Sequence, residues 1–246
     1  MNSSVQRTGS RTATVTSILC EEVLRGQYRA GERLPSERDL CQRFNVSRGA
    51  VREALKQLQQ LGILSIQPGG ARVVPIEECT LDVLGPLLDL DESPDPKLVD
   101  GVMHLMGVLM REAAIAAMEN ASDEDLQEAN LIIDEILASG DDHIRQFEAF
   151  RKLGDFYVDL ADHLVLRLTA NGLRTTFMAR VDPHSPVMHL DPDSINSPVV
   201  RIRKALSERN PVELGDAMHA LNLLFRQSMS KAFNRNDEKS TRSMGR

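Results

Sequence analysis

No tryptophan occurs among the 246 residues, and aromatic content is only 4%. A core so poor in aromatics is built from Leu, Ile, Val, Ala and Met, which favours packed helices over an aromatic-rich β-sandwich. Cysteine is scarce as well. Cys20, Cys41 and Cys79 are odd in number and far apart, which excludes a disulfide framework and does not match zinc-site spacing. They are expected to be reduced and partly buried. No run approaches the roughly 18 apolar residues of a membrane span. Met1 to Arg11 is polar and lacks the apolar core of a signal peptide. A soluble, cytoplasmic protein with no membrane partner is expected. Enzyme signatures are missing too: there is no Walker motif, nucleophile elbow, His-Glu-x-x-His or dinucleotide-binding glycine run. The expectation is a non-enzyme. An enzyme fused to a DNA-binding domain, the alternative, would rest on Asp159 and His163 alone.

Positive charge is in deficit overall, with a formal net charge of −7. The average hides a division. Residues 1–76 carry 11 Lys and Arg against 6 Asp and Glu, whereas residues 77–246 carry 18 against 30. A basic first third beside an acidic remainder points to phosphate contact by the first third only. An architectural DNA binder without sequence preference would be basic throughout, and the acidic remainder argues against it.

What is present in the first third is a sequence of helix signals. Val15, Ile18, Leu19 and Val23 line one face of a helix from about Thr14 to Arg25. Pro35-Ser36-Glu37-Arg38-Asp39 starts a second helix, with Ser36 as its cap. Ser47 caps a third, which ends near Leu61 with Gly62 as its stop. Ile63–Gln67 and Ala71–Val74 form a hairpin around Pro68-Gly69-Gly70. Three helices and a hairpin in this order make a winged helix-turn-helix over residues 14–76. Residues 1–13 are expected to be disordered.

Long helical patterns dominate beyond Glu77. Helices are expected over 81–90, 97–119, 122–139, 144–162, 164–178, 199–209 and 211–233. Val181 to Pro198 is read as a loop, and 234–246 as a disordered charged tail. The fold class is therefore mainly α: an N-terminal winged helix-turn-helix with a small β-hairpin, and a C-terminal all-α helical bundle over 80–233 for ligand binding and dimerisation.

The third helix carries the chemistry. Val51, Ala54, Leu55, Leu58 and Leu61 form its inward stripe, leaving Ser47, Arg48, Gly49, Ala50 and Arg52 outward at its start. Residues at this place on a recognition helix reach base edges. Arg48 and Arg52 lie one turn apart on one face, and an arginine fork can bond guanine O6 and N7 together. Arg38 would face the same groove or its phosphates. Gly69 and Gly70, with Arg72 just behind them, suit entry into the minor groove. Double-stranded DNA is the expected partner.

The segments Leu34-Pro35-Ser36-Glu37-Arg38-Asp39-Leu40 and Val46-Ser47-Arg48-Gly49-Ala50-Val51-Arg52-Glu53-Ala54-Leu55, followed by Leu61-Gly62 and a glycine-tipped hairpin, resemble the DNA-binding domain of GntR-type regulators. The resemblance implies repression, or less often activation, by a homodimer on a short palindromic operator. It also implies DNA contact by Arg38, Arg48, Gly49, Arg52 and the Gly69 tip. Leu109-Met110-Arg111-Glu112-Ala113-Ala114 and Ala121-Ser122-Asp123-Glu124-Asp125-Leu126 resemble the helical ligand domain of the FadR branch. That likeness implies a small-molecule effector, either an acyl-CoA or fatty-acid-like ligand or a small carboxylate.

Many members of the branch hold a divalent metal with one Asp and three His. Asp159 and His163 have the Asp-x3-His spacing, and Asn171 follows at roughly the family's distance, so these three are the candidate ligand-binding residues. Val199 and Leu221 stand where the later histidines would fall, and His219 lies two residues away. Two ligands rarely hold a metal tightly, so no metal and no cofactor is expected. His184 and His189, near Asp182, Asp191 and Asp193, read as a solvated acidic loop rather than a metal site.

Overall fold

Spacings of three and four residues put Val51, Ala54, Leu55 and Leu58 on one face of α3 (Arg48–Gln60), and all four are buried. The computed structural model describes residues 3–91, 94–178, 180, 190 and 192–244. Two compact units divide the chain, Met1–Pro94 and Asp95–Arg246. Residues 77–91 thus belong with the first unit.

The first unit holds α1 (Ser3–Leu24), α2 (Glu37–Phe44), α3, β1 (Leu64–Gln67) and β2 (Gly70–Val73), then two short 3-10 turns and α4 (Leu84–Leu88). Leu19, Leu40, Leu58, Ile63 and Leu64 form its centre. Local chemistry sets the ends of α2. Ser36 Oγ accepts from the Asp39 amide at 3.3 Å, and the Asp39 carboxylate accepts from the Ser36 amide at 3.2 Å. Asn45 ends the helix in the left-handed region at φ 51°. Arg43 on α2 donates to the buried carboxylate of Glu22 on α1, at 2.9 Å from Nη1 to Oε2. Thr16 on α1 donates to Gln57 on α3 at 2.8 Å. Strands β1 and β2 pair antiparallel with Leu64 opposite Val73 and Gln67 opposite Gly70.

Residues 31–34 differ from their expected role as a mere break. They lie along the outer edge of β2: Gly31 N–H donates to Val73 O, Val73 N–H to Glu32 O and Leu34 N–H to Ala71 O. A third extended segment thus covers the hairpin edge. At the N-terminus, α1 begins at Ser3, so the stretch read as disordered to residue 13 continues that helix.

The second unit is all helical: α5 (Pro96–Asn120), α6 (Asp123–Ala138), α7 (His143–Leu160), α8 (Leu164–Met178), α9 (Pro192–Ser207) and α10 (Pro211–Met244). α5 has the length and composition of a membrane span, with an 18-residue window of mean hydropathy 1.3. Within the unit it packs against α7, α8 and α10 and buries Ala113, Ala114 and Ala117, small residues that let neighbouring helices approach. Ser122 and Asp125 cap α6 reciprocally, as Ser36 and Asp39 do α2. α9 starts seven residues before its expected position and contains Pro198. Pro198 stands seventh in that helix, past its first turn, so it supplies no amide bond to the carbonyl of residue 194. The helical backbone of α10 runs through much of the expected tail, to Met244.

Two stability predictions follow from these contacts. Leu58→Ala, at a fully buried site, is expected to cost about 2–5 kcal/mol, measured as a lowered urea midpoint. The second concerns Asp100, which accepts from Arg226 Nε at 2.5 Å and Nη2 at 2.7 Å. These bonds hold its carboxyl below the usual carboxylate range. The pair therefore stabilises the fold above the ordinary carboxylate pKa of about 3.9, and that contribution is lost as pH falls through the lowered value. Asp100→Asn should flatten the acid limb of the stability curve below about pH 4, by a small amount because the carboxylate is partly exposed.

Candidate functional site

The N-terminus of α3 is fixed by its cap: Ser47 Oγ accepts from the Ala50 amide at 3.2 Å. With the buried stripe facing inward, Arg48, Gly49, Arg52, Glu53 and Lys56 remain exposed. Ala50 does not share that face. It is 4% exposed and belongs to the core, so its side chain is unavailable to a partner. The reason is angular: at about 100° per residue, position 50 lies near the line of Val51, Ala54 and Leu58 rather than beside Arg48 and Arg52.

Arg52 is 64% exposed, and its Nε donates to both oxygens of Glu37 on α2 at 3.1 and 2.9 Å. Neither terminal nitrogen is engaged among the described residues, so the pair aligns the guanidinium while leaving its outer edge to bond a base. Arg38 and Arg48 are exposed and make no ion pair among the described residues. Gly49 has open space around it, since an added Cβ would meet only Ser47 Oγ at 3.8 Å. Internal packing therefore does not require glycine there. Close approach of an outside backbone would.

The hairpin tip brings in a residue that sequence reasoning missed. Gly69 has open surroundings, but an added Cβ at Gly70 would lie 2.6 Å from Arg33 Nε. The Arg33 side chain thus lies over Gly70, which itself holds φ +125°. Arg33, Arg52 and Lys56 share a cleft between α2, α3 and the hairpin, with Ile66 and Glu37 also in its wall. Arg72 is turned back: its Nη1 donates to Gly31 O at 2.9 Å. The cysteines take no part. All three are free thiols, and burial pushes that of Cys20 up to about 11, far from the reactive thiolate range.

A capped helix with two arginines on its open face, a paired helix before it and a glycine-tipped hairpin after it make a DNA-reading module. The family description "Bacterial regulatory proteins, gntR family" matches residues 11–74. An HTH-type transcriptional regulator of Mycobacterium tuberculosis is 31% identical over 164 residues, covering 65% of this chain and 67% of that one. This chain belongs to the GntR family.

Two further relatives extend the comparison. The galactonate operon transcriptional repressor of Escherichia coli is 28% identical over 147 residues, 58% of this chain, and the match spans 62% of that protein's length, less than two thirds. The fatty acid metabolism regulator protein of Haemophilus influenzae is 28% identical over 125 residues, 49% of this chain and 51% of that protein.

In the second unit, the residues named for a ligand are not brought together. Asp159 lies on α7 with its side chain 74% exposed, beside Arg167. His163 follows a break at Asp162, where φ is 49°, and its Nδ1 accepts from the Leu166 amide at the start of α8. The two therefore do not share a helical face, as the spacing suggested. Asn171 Oδ1 accepts from Arg174 at 2.9 Å. His184, His189, Asp182 and Asp191 lie outside the described residues.

A cavity of about 70 Å³ lies instead among Met103, Met106 and Met110 of α5, Phe147 and Phe150 of α7, and Phe177 of α8. Among the described residues that line it, the one carboxylate is Asp155, held by Arg151 at 3.0 Å and Arg174 at 3.4 Å. A carboxylate already held by two arginines does not suit a divalent ion, and no cluster of three metal-ligating side chains occurs among the described residues.

Gly49→Ala separates the two roles a glycine can have here. It should leave stability unchanged or raise it by up to about 1 kcal/mol, while weakening binding to a cognate duplex. Thermal unfolding and fluorescence anisotropy on the same samples measure both effects.

Proposed function

We propose that this GntR-family protein is a sequence-specific transcription regulator, most simply a repressor, that binds a short palindromic operator as a homodimer. The observation that carries the reading is the pair Arg48 and Arg52 on the exposed face of α3, with Arg52 aligned by Glu37. Two arginines one turn apart at the start of a helix suit bidentate contact with guanines in the major groove. Arg38 and Arg33 flank them and suit phosphate contact, which positions the module without selecting sequence. The Gly69 tip suits the minor groove. The charge division supports the same assignment, because only the basic first third is complementary to phosphate.

The second unit is proposed to bind the effector and to carry dimer contacts. Its apolar cavity supports a small-molecule site. A ligand there alters operator affinity only if it favours one conformation of the protein over another. Two relatives are named for galactonate and for fatty acid metabolism, compounds of very different size. The cavity's methionine and phenylalanine wall suits an apolar ligand or the apolar part of one.

The regulator is expected to bind its operator about 10³-fold or more tighter than random duplex at physiological salt. Arg52→Ala should weaken operator binding by about 1–3 kcal/mol and relax base preference at one position of each half-site. Anisotropy titrations on operator and random duplex test both. Equal affinities for the two duplexes would sink the sequence-specific reading.

A further inference from the structure

The outer face of α8 carries no charge. The charged residues of this helix are Arg167 and Arg174, seven positions apart and so on one side of it. Both turn to α7: Arg167 to the carbonyl and carboxylate of Asp159, Arg174 to the carboxylate of Asp155. Ala170, Leu173 and Phe177 face the core. Leu164, Val165, Leu168, Thr169, Gly172 and Thr175 are left on the opposite side.

Leu164, Val165 and Leu168 are 67%, 66% and 61% exposed. Among the described residues, the other aliphatic side chains of this unit that are more than half exposed are Leu131, Val200 and Val212, spread one to a helix. Single exposed aliphatics are ordinary, but three within five residues form a patch, and such a patch marks an interaction surface. Burying it strands no threonine hydroxyl that faces it: Thr169 and Thr175 donate to Val165 O and Asn171 O of their own helix, both at 2.8 Å. An added Cβ at Gly172 would meet nothing within 4 Å. Packing within one copy therefore gives no account of a glycine in a helix interior, where it is less stable than alanine.

Building on the homodimer reading, we propose that this face is a contact between two copies of the chain, α8 packing antiparallel on α8 about a two-fold axis at Leu168. Leu164 and Gly172 each stand four residues from Leu168. Such an axis places Leu164 of each copy over Gly172 of the other, while Leu168 meets its own equivalent. Residues four apart form the ridge of a helix surface, and the missing side chain at 172 leaves the hollow that receives Leu164. An uncharged face suits self-contact, because the acidic surplus of residues 95–246 repels a like copy elsewhere. A lipid surface would call for free cations along the polar side, and both arginines of α8 are engaged by α7. The face is about 22 Å long and about 10 Å wide. That is less than the roughly 800 Å² per partner of a standard interface, so it forms the apolar centre of a dimer that dissociates measurably.

Sedimentation velocity of the full-length protein without DNA, over a range of concentrations, tests the assignment. Wild type is expected to pass from monomer to dimer as concentration rises. Leu168→Glu sets two like charges together on the axis and should raise the dimer dissociation constant about tenfold or more. Its circular dichroism should be unchanged, because the core of one copy does not use Leu168. Gly172→Leu has room within one copy but fills the hollow, and should weaken the dimer to a similar degree. Leu164→Ala combined with Gly172→Leu again sets a large residue opposite a small one, and should recover most of the lost affinity. Leu131→Glu, an equally exposed leucine on α6, should leave the dimer unchanged. A dimer unmoved by Leu168→Glu, a double variant no better than Gly172→Leu alone, or equal weakening by Leu131→Glu would overturn the proposal.

Anisotropy on a palindromic duplex, with the stoichiometry of binding, separates this surface from the homodimer reading. Two copies bound to the duplex by a protein whose dimer ignores Leu168→Glu would leave the homodimer standing and remove α8 from its interface. A wild type that stays monomeric at every concentration and binds the duplex as one copy would remove both.

Discussion

The buried stripe of α3 is the constraint on which the DNA-facing surface depends. Val51, Ala54, Leu55 and Leu58 can face the core of the first unit in only one rotation of the helix. That rotation, with the Ser47 cap fixing where the helix starts, decides that Arg48 and Arg52 face outward and Ala50 inward. Hydrophobic burial is non-directional, but a helix converts it into a direction for every other side chain it carries. Glu37 then refines one of those directions, because it bonds Arg52 through Nε alone. The neighbouring elements have the same dependence. Arg33 lies over the hairpin at position 70, its Nε 2.6 Å from where an added Cβ would stand.

The second unit follows a different logic. Its helices are long, rich in alanine and methionine at their contacts, and well satisfied along most of their length. Methionine suits a wall that must adapt to a ligand. Most polar groups there have a partner; among the described residues, Tyr157 Oη, His219 Nδ1 and Asn222 Oδ1 are buried without one. Residues 95–246 carry 18 Lys and Arg against 24 Asp and Glu, an acidic surplus consistent with a unit that does not meet phosphate.

How much of this was legible in the sequence depended on how local the cause was. Ser36 and Ser47 set helix starts through bonds to backbone a few residues away, and their positions could be read directly. The order of three helices and a hairpin followed for the same reason. Ala50 was misread by one angular step, a shift that a list of outward positions cannot resolve. Arg33 and Glu37 gained their roles only when distant segments met, and no spacing signals that. Asp159 and His163 had a suggestive interval, but the left-handed turn at Asp162 breaks the helix the interval assumed. The early start of α1 and the extension of α10 lacked an apolar stripe to announce them.

The central claim is that bases are read from the exposed face at the start of α3. Selection of binding sites from a random DNA pool, carried out in parallel for the full-length protein and Arg48→Ala, tests it most directly. The account predicts a two-fold symmetric consensus for the wild type. In the variant, preference should be lost at one position in each half-site and kept elsewhere, as expected for removal of a single base contact. An unchanged consensus for Arg48→Ala, or loss of affinity with every position equally retained, would contradict it.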